Sequence, residues 1–338
     1  MHWRSSQLGI GTAFAIGKGS IVTTEAAEVV SDASHDLNAE TSVSLSVVIP
    51  VYNEEDTIGT CLGLLVDQID HIAEIVVVDN NSTDETRAVV NGYIADFPQI
   101  RIVDESEQGL VYARNAGMNA ATSDVIARID SDTRVPEGWA ARIVEFFTAD
   151  ADTEWAALCG RGAANGLPFE GAGKKLARRL EPVTRAIARL RSGDQTDTDE
   201  PREIPVLYGS NMILRRTTWQ QISARVSMRR DIFEDVDMGL CVQDIGGRNA
   251  FLGSLTVGVS PRRMETSLPA FVEYMSFLPR TLLLHRRYRL AALVIFGYLP
   301  AVIVVHAGRL VLIRAHDPAT STFSVRNLTR KPDERGLP

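Results

Sequence analysis

The sequence contains few cysteines, and they are not spaced as in a cysteine-based site. Cys61, Cys159 and Cys241 are scattered, and no two of them form a C-x-x-C pair. An odd number of isolated cysteines argues against a disulfide scaffold and a zinc site, and is typical of a protein in a reducing cytosol. A Walker A motif and a G-x-G-x-x-G motif are also missing. Their absence argues against a P-loop kinase and a dinucleotide-dependent oxidoreductase.

The chain also lacks an excess of positive charge. Its 35 Lys and Arg residues and 43 Asp and Glu residues give a formal net charge of -8, so we do not expect nucleic acid as a partner. An anionic substrate would need a local cation, either a metal ion or an arginine. The 338 residues, 45% of them hydrophobic, suffice for one large α/β domain or two smaller ones.

The beginning of the chain lacks a convincing signal peptide, because its apolar run at 8–16 is short and interrupted by glycine. We interpret it as a disordered leader. The predicted organisation is a disordered tail over 1–43, a catalytic domain over 44–265, C-terminal helices over 266–316 and a flexible tail over 317–338. Within the domain, residues 170–203 are expected to be an insertion with a mobile, polar end on the acceptor side.

Strand and helix patterns alternate along the domain. Near-continuous apolar runs predict parallel strands that are covered on both faces. The predicted strands are 45–51, 74–79, 100–104, 124–130, 156–162, 206–214 and 250–259, and the predicted helices are 54–68, 83–96, 109–121, 174–191 and 235–242. Asn53 is expected to cap the first helix, and Ser82 or Thr83 the second. This order predicts an α/β fold with a doubly wound, mostly parallel sheet that binds ligands beyond the carboxyl ends of its strands.

Two aspartates one residue apart, Asp130 and Asp132, follow a buried strand. Alternate residues of an extended segment point the same way, so both carboxylates could approach one ion. Mg²⁺ and Mn²⁺ prefer oxygen ligands and leave positions open for substrate phosphates. Aspartate pairs of this kind are common in exposed turns, but the place of this pair at a strand end favours a metal site.

Other polar residues occupy the neighbouring strand ends. Asp79 could accept hydrogen bonds from a ligand, or be a turn residue. Tyr52 could stack on a base, or be a tyrosine at the edge of the core. Arg114 could pair with the oxygens of a diphosphate, or be a solvated charge on a helix face.

A second acidic pair, Glu234 and Asp235, precedes a predicted helix. A carboxylate at a helix start that faces a cleft could deprotonate an acceptor hydroxyl, and the helix N-terminus would stabilise its negative charge. The alternative is an ordinary acidic first turn. Gly209, Ser210 and Asn211 close a strand-like run and could line the acceptor pocket, or form a plain turn.

The C-terminal segment 271–314 combines basic and apolar residues. Residues 290–305 are almost wholly apolar, but sixteen residues fall short of the roughly 20 that span a bilayer. Extending the run to residue 313 includes His306 and Arg309, which are costly inside a membrane. A basic band at 280–289 beside this run favours binding to an anionic membrane surface. The alternative is a helix in the core or in an oligomer interface.

Six segments together resemble one enzyme family. They are VVIPVYNEEDTI, VVVDNNSTD, ARNAG, ARIDSDT, GSNMILRR and FEDVDMGL, and their order and spacing are similar to those of family 2 glycosyltransferases, which have the nucleotide-diphospho-sugar transferase (GT-A) fold. The resemblance covers roughly residues 44–260. The chain lacks the Q-x-x-R-W signature of processive synthases, which favours a single addition over polymerisation.

The resemblance implies roles for individual residues. Pro50, Tyr52 and Glu54 match the first nucleotide-contacting segment, and Asp79 matches the carboxylate that contacts the base. Arg114 lies in the segment that matches the one beside the diphosphate. Asp130 and Asp132 match the D-x-D motif, with Asp132 as the direct metal ligand, and Asp235 matches the base that deprotonates the acceptor. The implied cofactor is Mn²⁺ or Mg²⁺. The implied partners are a nucleotide-diphospho-sugar donor and a glycan or lipid-linked acceptor, with the enzyme in the cytoplasm or at the inner face of the membrane.

Three other functions compete with this interpretation. A polyprenyl-phosphate glycosyltransferase would use the basic and apolar C-terminal segment for its lipid acceptor. A nucleotidyltransferase on a related sheet is disfavoured, since the loop after the first strand is acidic rather than basic and glycine-rich. A non-catalytic nucleotide-sugar-binding scaffold is disfavoured by the intact aspartates at 130, 132 and 235.

Overall fold

The structure is a computed structural model that describes residues 42–164, 200–260, 267–317 and 322–323. Residues 1–41 of the tail predicted over 1–43, the predicted helix over 174–191 and most of the predicted insertion lie outside these residues. So does most of the predicted C-terminal tail.

A mixed, mostly parallel sheet organises the described residues. Its strands are β1 (Leu45–Val51), β2 (Glu74–Asp79), β3 (Ile100–Asp104), β4 (Val125–Arg128), β5 (Ala157–Ala164), β6 (Arg202–Glu203), β7 (Met212–Arg215) and β8 (Asn249–Val259). Their spatial order is β3-β2-β1-β4-β7-β5-β8-β6. Strands β1 to β4 are parallel, whereas β7 runs antiparallel to both β4 and β5. The predicted α/β fold with a mostly parallel sheet is confirmed.

The first strands are apolar on both faces because helices cover both. Val47 and Ile49 of β1 pack in one core cluster, while Val48 between them packs in the other. The same alternation continues in β2, where Val77 and Val78 lie in opposite clusters. Continuous apolar runs are the expected sequence of strands buried between two helical layers.

Helices connect and cover these strands. They are Glu55–Val66, Thr86–Ile94, Leu110–Ala120, Trp139–Ala149, Arg216–Ile222, Glu234–Asp244, Leu268–Met275, Phe277–Leu284, Tyr288–Leu293 and Leu299–Ala315, with a π-helical turn at Val294–Tyr298 and a 3-10 turn at Ile69–His71. The last strands, β9 (His316–Asp317) and β10 (Thr322–Phe323), form a separate antiparallel pair.

The predicted helix caps are wrong. Asn53 has a left-handed φ of 53° and lies two residues before its helix, and its Oδ1 accepts a hydrogen bond from the Thr83 N–H at 2.8 Å. Ser82 Oγ in turn accepts one from the Asn53 N–H at 3.1 Å. These side chains therefore join the loops after β1 and β2, about thirty residues apart in sequence, instead of capping the helix that follows each loop.

The predicted strand over 206–214 is shorter in the structure, where only Met212–Arg215 pairs with its neighbours. The preceding residues form an irregular loop, since the Gly209 N–H bonds to the Asp235 carboxylate and the Asn211 N–H bonds to the Tyr208 carbonyl. Conversely, Arg202–Glu203 pairs as a short edge strand with β8.

The strand order indicates at which edge of the sheet a ligand is expected to bind. The chain winds outward from β1 to β2 and β3, then returns to place β4 on the other side of β1. The register aligns the carboxyl ends of β1, β2 and β3, with Val51 beside Asp79 and Asp79 beside Asp104. In doubly wound sheets, ligands bind where the winding reverses, which here is between β1 and β4.

The C-terminal helices pack against the helix Glu234–Asp244. Leu282, Ala291 and Val294 form an apolar cluster with Val236 and Leu240 of that helix. The opposite face is exposed, and Leu293 and Phe296 retain 66% and 83% of their accessible surface.

The apolar run over 290–305, expected to be too short to span a membrane, lies within a longer helical stretch. Helical residues continue from Tyr288 to Gly308, which is 21 residues with a mean hydropathy of 2.3, and only 17% of the most apolar window is buried. By length and composition this helix could cross a bilayer. His306 is buried and stacks on Phe271 with ring centroids 3.8 Å apart.

Candidate active site

The segment that carries Asp130 and Asp132 is a turn rather than an extended strand. The Thr133 N–H donates to the Asp130 carbonyl at 3.0 Å, and Thr133 Oγ1 accepts from the Asp130 N–H at 3.1 Å. The expectation that alternate positions of an extended segment align the two carboxylates is therefore wrong. Both carboxylates nevertheless influence the pKa of the same side chain, the thiol of Cys61. Burial raises the pKa of Cys61 to about 12, and the Asp132 and Asp130 carboxylates add to that rise.

A buried arginine connects this turn to the second acidic pair. Arg114 Nη2 lies 2.6 Å from Asp130 Oδ1, and Arg114 Nη1 lies 2.7 Å from Glu234 Oε2. Glu234 also forms an ion pair with Arg128, which is fully buried in β4. Burial alone would raise the pKa of Glu234, but the two arginines hold it below its usual range. Glu234 is thus a carboxylate anion between two guanidinium groups.

Asp235 lies beside this network at the start of its helix. Its Oδ2 accepts a hydrogen bond from the Gly209 N–H at 3.0 Å, and its Oδ1 accepts one from the Val236 N–H at 3.0 Å. A side chain at Gly209 would meet Arg128 Nη2 at 3.3 Å and Asp235 Oδ2 at 3.4 Å, so the guanidinium and the carboxylate are neighbours. Burial raises the pKa of Asp235, an effect that Arg128 and the Gly209 N–H only partly offset.

Two residues expected on the acceptor side are buried, with their polar groups bonded to other parts of the protein. Asn211 is fully buried, and its amide donates to the Leu255 carbonyl at 2.8 Å and accepts from Trp139 Nε1 at 3.1 Å. Both Glu234 oxygens are engaged by arginines, as described above. These two predictions are corrected, because the polar groups of both residues are used inside the protein. Gly209 contacts Asp235, and the next residue, Ser210, is partly buried.

The same network changes the interpretation of Arg114. The resemblance implies that this residue lies beside the donor diphosphate, but its two terminal nitrogens hold Asp130 and Glu234. Arg114 is also buried, with 9% of its side chain exposed. The expectation that its guanidinium pairs directly with phosphate oxygens is therefore not met, and its contacts instead orient a carboxylate of the D-x-D turn.

The carboxyl end of β2 carries a second charged group at the same sheet edge. Asp79 is buried; its Oδ1 accepts from the Ser82 N–H at 3.0 Å, and its Oδ2 lies 3.1 Å from Arg87 Nη1. Arg87 also pairs with Asp104 at the end of β3. A nucleotide base that bonds to Asp79 would share a carboxylate that Arg87 already orients.

The residues after β1 differ in exposure. Pro50 is buried within the strand beside Val78, so it is a sheet residue rather than an open contact surface. Tyr52 exposes half of its surface at the strand end. Glu54 is partly buried, and its Oε2 accepts a hydrogen bond from Thr57 Oγ1 at 2.6 Å.

A cleft of about 170 Å³ lies at this edge, and Asp132 lines it. Thr57, Thr60 and Ser131 add hydroxyl groups to its wall, and the exposed Arg134 lies beside them. Carboxylate and hydroxyl oxygens are the donor types that Mg²⁺ and Mn²⁺ prefer. The residues present therefore fit such an ion, with Asp132 in the cleft and Asp130 oriented by Arg114.

Three arginines of this region were missed in the sequence: Arg87, Arg128 and Arg134. Arg128 had the clearest signal, since it is a charged residue inside an otherwise apolar strand two positions before Asp130. A buried charge needs a partner, and the acidic pair near residue 234 offered one. The other two are exposed and carried no comparable signal.

Solved structures identify the class of fold. A mannosyltransferase from Pyrobaculum calidifontis, solved with GDP-Man and Mn²⁺, is 18% identical to this protein. The alignment covers 85% of this chain and 77% of the mannosyltransferase chain, with a TM-score of 0.55. TarS residues 1–349 from S. aureus, solved with UDP-GlcNAc, are 18% identical, with 71% of this chain and 66% of that chain covered and a TM-score of 0.50. The shared fold is that of GT-A glycosyltransferases.

Sequence comparison then identifies the family. The profile of "Glycosyl transferase family 2" matches residues 46–222, just over half of the chain. The uncharacterized glycosyltransferase YibD of Escherichia coli is 34% identical over 91 residues, or 27% of this chain and 26% of that protein. The putative glycosyltransferase EpsH of Bacillus subtilis is 27% identical over 184 residues, or 54% of this chain and 47% of that protein. The aligned regions thus span less than half of each of these two relatives. Because the family profile matches more than half of this chain, the chain belongs to glycosyl transferase family 2.

Proposed function

We propose that the protein is an inverting glycosyltransferase that moves one sugar from a nucleotide-diphospho-sugar to an acceptor hydroxyl. One observation carries the proposal: Asp235, a partly buried carboxylate of raised pKa, neighbours a charge network that reaches the D-x-D turn through Glu234, Arg114 and Asp130. Family membership and the GT-A fold support the same class of reaction.

The donor would lie across the carboxyl ends of β1, β2 and β4. Tyr52 is exposed for stacking on a base, and Asp79 offers a carboxylate to its N–H groups. The exposed Arg134 is suited to pair with diphosphate oxygens. The complexes of similar folds with GDP-Man and with UDP-GlcNAc support a nucleotide-sugar donor, without indicating which one.

Asp132 would hold a divalent cation, Mn²⁺ or Mg²⁺, with Asp130 next to it. Such an ion would supply neutralisation of the negative charge that the departing nucleoside diphosphate develops. Arg114 would keep the Asp130 carboxylate in place, since a bonded and buried guanidinium fixes the position of its partner.

Asp235 would take the proton of the acceptor hydroxyl as its oxygen attacks the anomeric carbon. The bond from that carbon to the diphosphate oxygen breaks on the opposite face, so the configuration at the carbon inverts. A pKa raised by burial makes this carboxylate a stronger base than an exposed aspartate. The Gly209 and Val236 N–H groups orient it for the transfer.

A screen for hydrolysis and transfer tests the proposal. UDP-sugars and GDP-sugars would be incubated with the full chain in Mn²⁺, Mg²⁺ or EDTA, with and without membrane lipid. We expect release of the nucleoside diphosphate from at least one donor, its loss in EDTA, and its loss in Asp132→Ala. Binding of a nucleotide with no turnover under any of these conditions would favour a non-catalytic scaffold instead.

A second candidate is transfer to a polyprenyl phosphate at the inner face of the membrane. The apolar helix that begins at Tyr288 is mostly exposed, and its exposed side chains include Arg289, Leu293 and Phe296. Arg286 is exposed just before this helix. A basic and apolar surface of this kind suits an anionic membrane.

The two acceptors make different demands on Asp235. A phosphate acceptor is already ionised, so it needs no base, whereas a hydroxyl does. Asp235→Asn should therefore spare transfer to a polyprenyl phosphate and abolish transfer to a hydroxyl. Membrane contact is tested separately by flotation with vesicles that contain or lack anionic lipid. Phe296→Asp should reduce the bound fraction, and a charge placed at the exposed Ala88 of the helix Thr86–Ile94, as in Ala88→Asp, should not.

A further inference from the structure

Three potential metal ligands converge outside the proposed active site. Asp237 and Cys241 lie four residues apart on one face of the helix Glu234–Asp244, and His285 follows the helix Phe277–Leu284. One ligand atom of each residue lies within 4.8 Å of the other two. His285 Nε2 and Asp237 Oδ1 are closest, at 2.7 Å. Asp237 and Cys241 are buried, and 9% of the His285 side chain is exposed.

Neighbouring groups orient these three side chains. His285 Nδ1 lies 3.2 Å from Asp244 Oδ2, on the side of the ring away from Asp237. The second oxygen of Asp237 accepts a hydrogen bond from the Ser227 N–H at 2.8 Å. Asp244 is in turn bound by Arg287 at 2.9 Å. A histidine whose far nitrogen is bonded to a carboxylate is the usual arrangement around a protein zinc ion, because that bond fixes the tautomer and the ring orientation.

We propose that Asp237, Cys241 and His285 form a binding site for Zn²⁺, or for a divalent ion of similar ligand preference. Sulfur, imidazole nitrogen and carboxylate oxygen are all zinc donors, and bond lengths of about 2.0–2.3 Å place tetrahedral ligands roughly 3.3–3.8 Å apart. Opening the close Asp237–His285 contact by about 1 Å would admit the ion. Water or a further protein group would complete the coordination.

Binding of the ion requires loss of one proton and no change of oxidation state. The ion binds the Cys241 thiolate and the neutral His285 ring, and the thiol proton passes to solvent. The bound cation then compensates the charge of the buried Asp237 carboxylate. This donor set differs from the D-x-D turn, which offers oxygen only, so the two sites select different metals.

The proposed site has a structural consequence for the chain. It joins the helix that begins at Glu234 to the C-terminal helices, where Val236 and Leu240 already pack on Leu282. Asp237 is two residues from Asp235, so an ion at this point would also fix the start of that helix. The spacing of the cysteines argued against zinc in the sequence, since this site has a single cysteine, which is joined by Asp237 of the same helix and by His285 just after another helix.

Cobalt binding to the full chain tests the site. After chelation and dialysis, CoCl₂ would be titrated into the protein without nucleotide. We expect one equivalent to give the visible spectrum of tetrahedral Co²⁺ and a sulfur-to-cobalt charge-transfer band, both removed by one equivalent of Zn²⁺. Cys241→Ser should lose the charge-transfer band, and Asp244→Ala, which removes the contact to His285 Nδ1, should weaken binding about 10–100-fold.

Matched variants separate this site from the others. Cys159→Ser changes another buried cysteine, and Asp132→Ala removes the proposed donor-side ligand; both should keep the sulfur-to-cobalt band. If Cys241→Ser does not fold, protection of the wild-type Cys241 thiol from alkylation by Zn²⁺, read by mass spectrometry, replaces it. Absence of the band and of zinc protection in the wild type would leave an ordinary hydrogen-bonded Asp237–His285 contact and overturn the proposal. Neither result depends on whether the protein transfers sugar.

Discussion

Arg114 lies within hydrogen-bond distance of Asp130, with 2.6 Å between Nη2 and Oδ1. Its other terminal nitrogen lies 2.7 Å from Glu234, the residue before Asp235. One buried guanidinium therefore connects the proposed donor side of the site to the proposed acceptor side. The positions of Asp130 and Glu234 then both depend on Arg114, whose terminal nitrogens bind these carboxylates rather than substrate.

Replacing Arg114 by lysine tests this connection. One ammonium cannot repeat the two-armed contact, so one of the carboxylates loses its partner. We expect the free energy of unfolding to fall by about 1–3 kcal/mol, less than the 3–5 kcal/mol typical of complete removal of a buried ion-pair partner. Transfer activity should fall at least tenfold. Urea unfolding and initial rates measure the two effects.

The matched control is Arg229→Lys, because Arg229 pairs with Asp231 and 56% and 41% of the two side chains are exposed. Exposed ion pairs contribute about 0–1 kcal/mol, so this variant should remain close to the wild type in both measurements. Wild-type stability and rate in Arg114→Lys would show that the bridge has no role.

Asp235→Asn tests the proposed base. Asparagine keeps the size of the side chain and one acceptor for the Gly209 N–H, but it cannot take a proton. We expect kcat on a hydroxyl acceptor to fall by about 10²–10⁴-fold, as for other general bases, with the far-UV spectrum unchanged. Asp231→Asn changes an exposed aspartate and should leave kcat within about twofold. Near wild-type turnover in Asp235→Asn would remove the assignment.

The raised pKa of Asp235 predicts a pH dependence. The base acts when ionised, so kcat/KM should fall as the pH drops through the pKa of Asp235, which burial places above the ordinary 3.8. The Arg128 cation lowers this pKa. Arg128→Met should therefore move the acidic limb of the profile to higher pH, whereas Arg248→Met, a change to an exposed arginine, should not. An unchanged limb in Arg128→Met would show that the two charges do not interact.

The sequence predicted those parts of the molecule that depend on local pattern. Continuous apolar runs located β1, β2 and β3 to the residue, since parallel strands covered on both faces admit few polar positions. The place of Asp79 at a strand end follows from the same rule. Chain order and spacing then sufficed to recognise the family.

Long-range side-chain contacts were not predictable in the same way. Asn53 was expected to cap a helix, but its amide bonds to a loop thirty residues away. Glu234 resembled an exposed first-turn acid, and only the folded sheet brings Arg128 to it across 106 positions. The π-helical turn at Val294–Tyr298 keeps the apolar helix continuous, and no local composition signals it.

The packing of the Arg114 helix on the sheet gives a final prediction. Gly117 lies on that helix where a Cβ atom would come within 2.3 Å of Val48 Cγ1 and 2.8 Å of Val78 Cγ2, both in buried strands. Gly117→Ala should therefore push the helix outward and lower the free energy of unfolding by about 1–3 kcal/mol. Because Arg114 moves with it, activity should fall as well.

Gly92→Ala is the matched control, since it lies within a helix with no atom near its Cβ position. Alanine favours the helix there by about 0.5–1 kcal/mol, so urea unfolding should shift in opposite directions for the two variants. Equal shifts would mean that close contact with β1 and β2 does not position this helix.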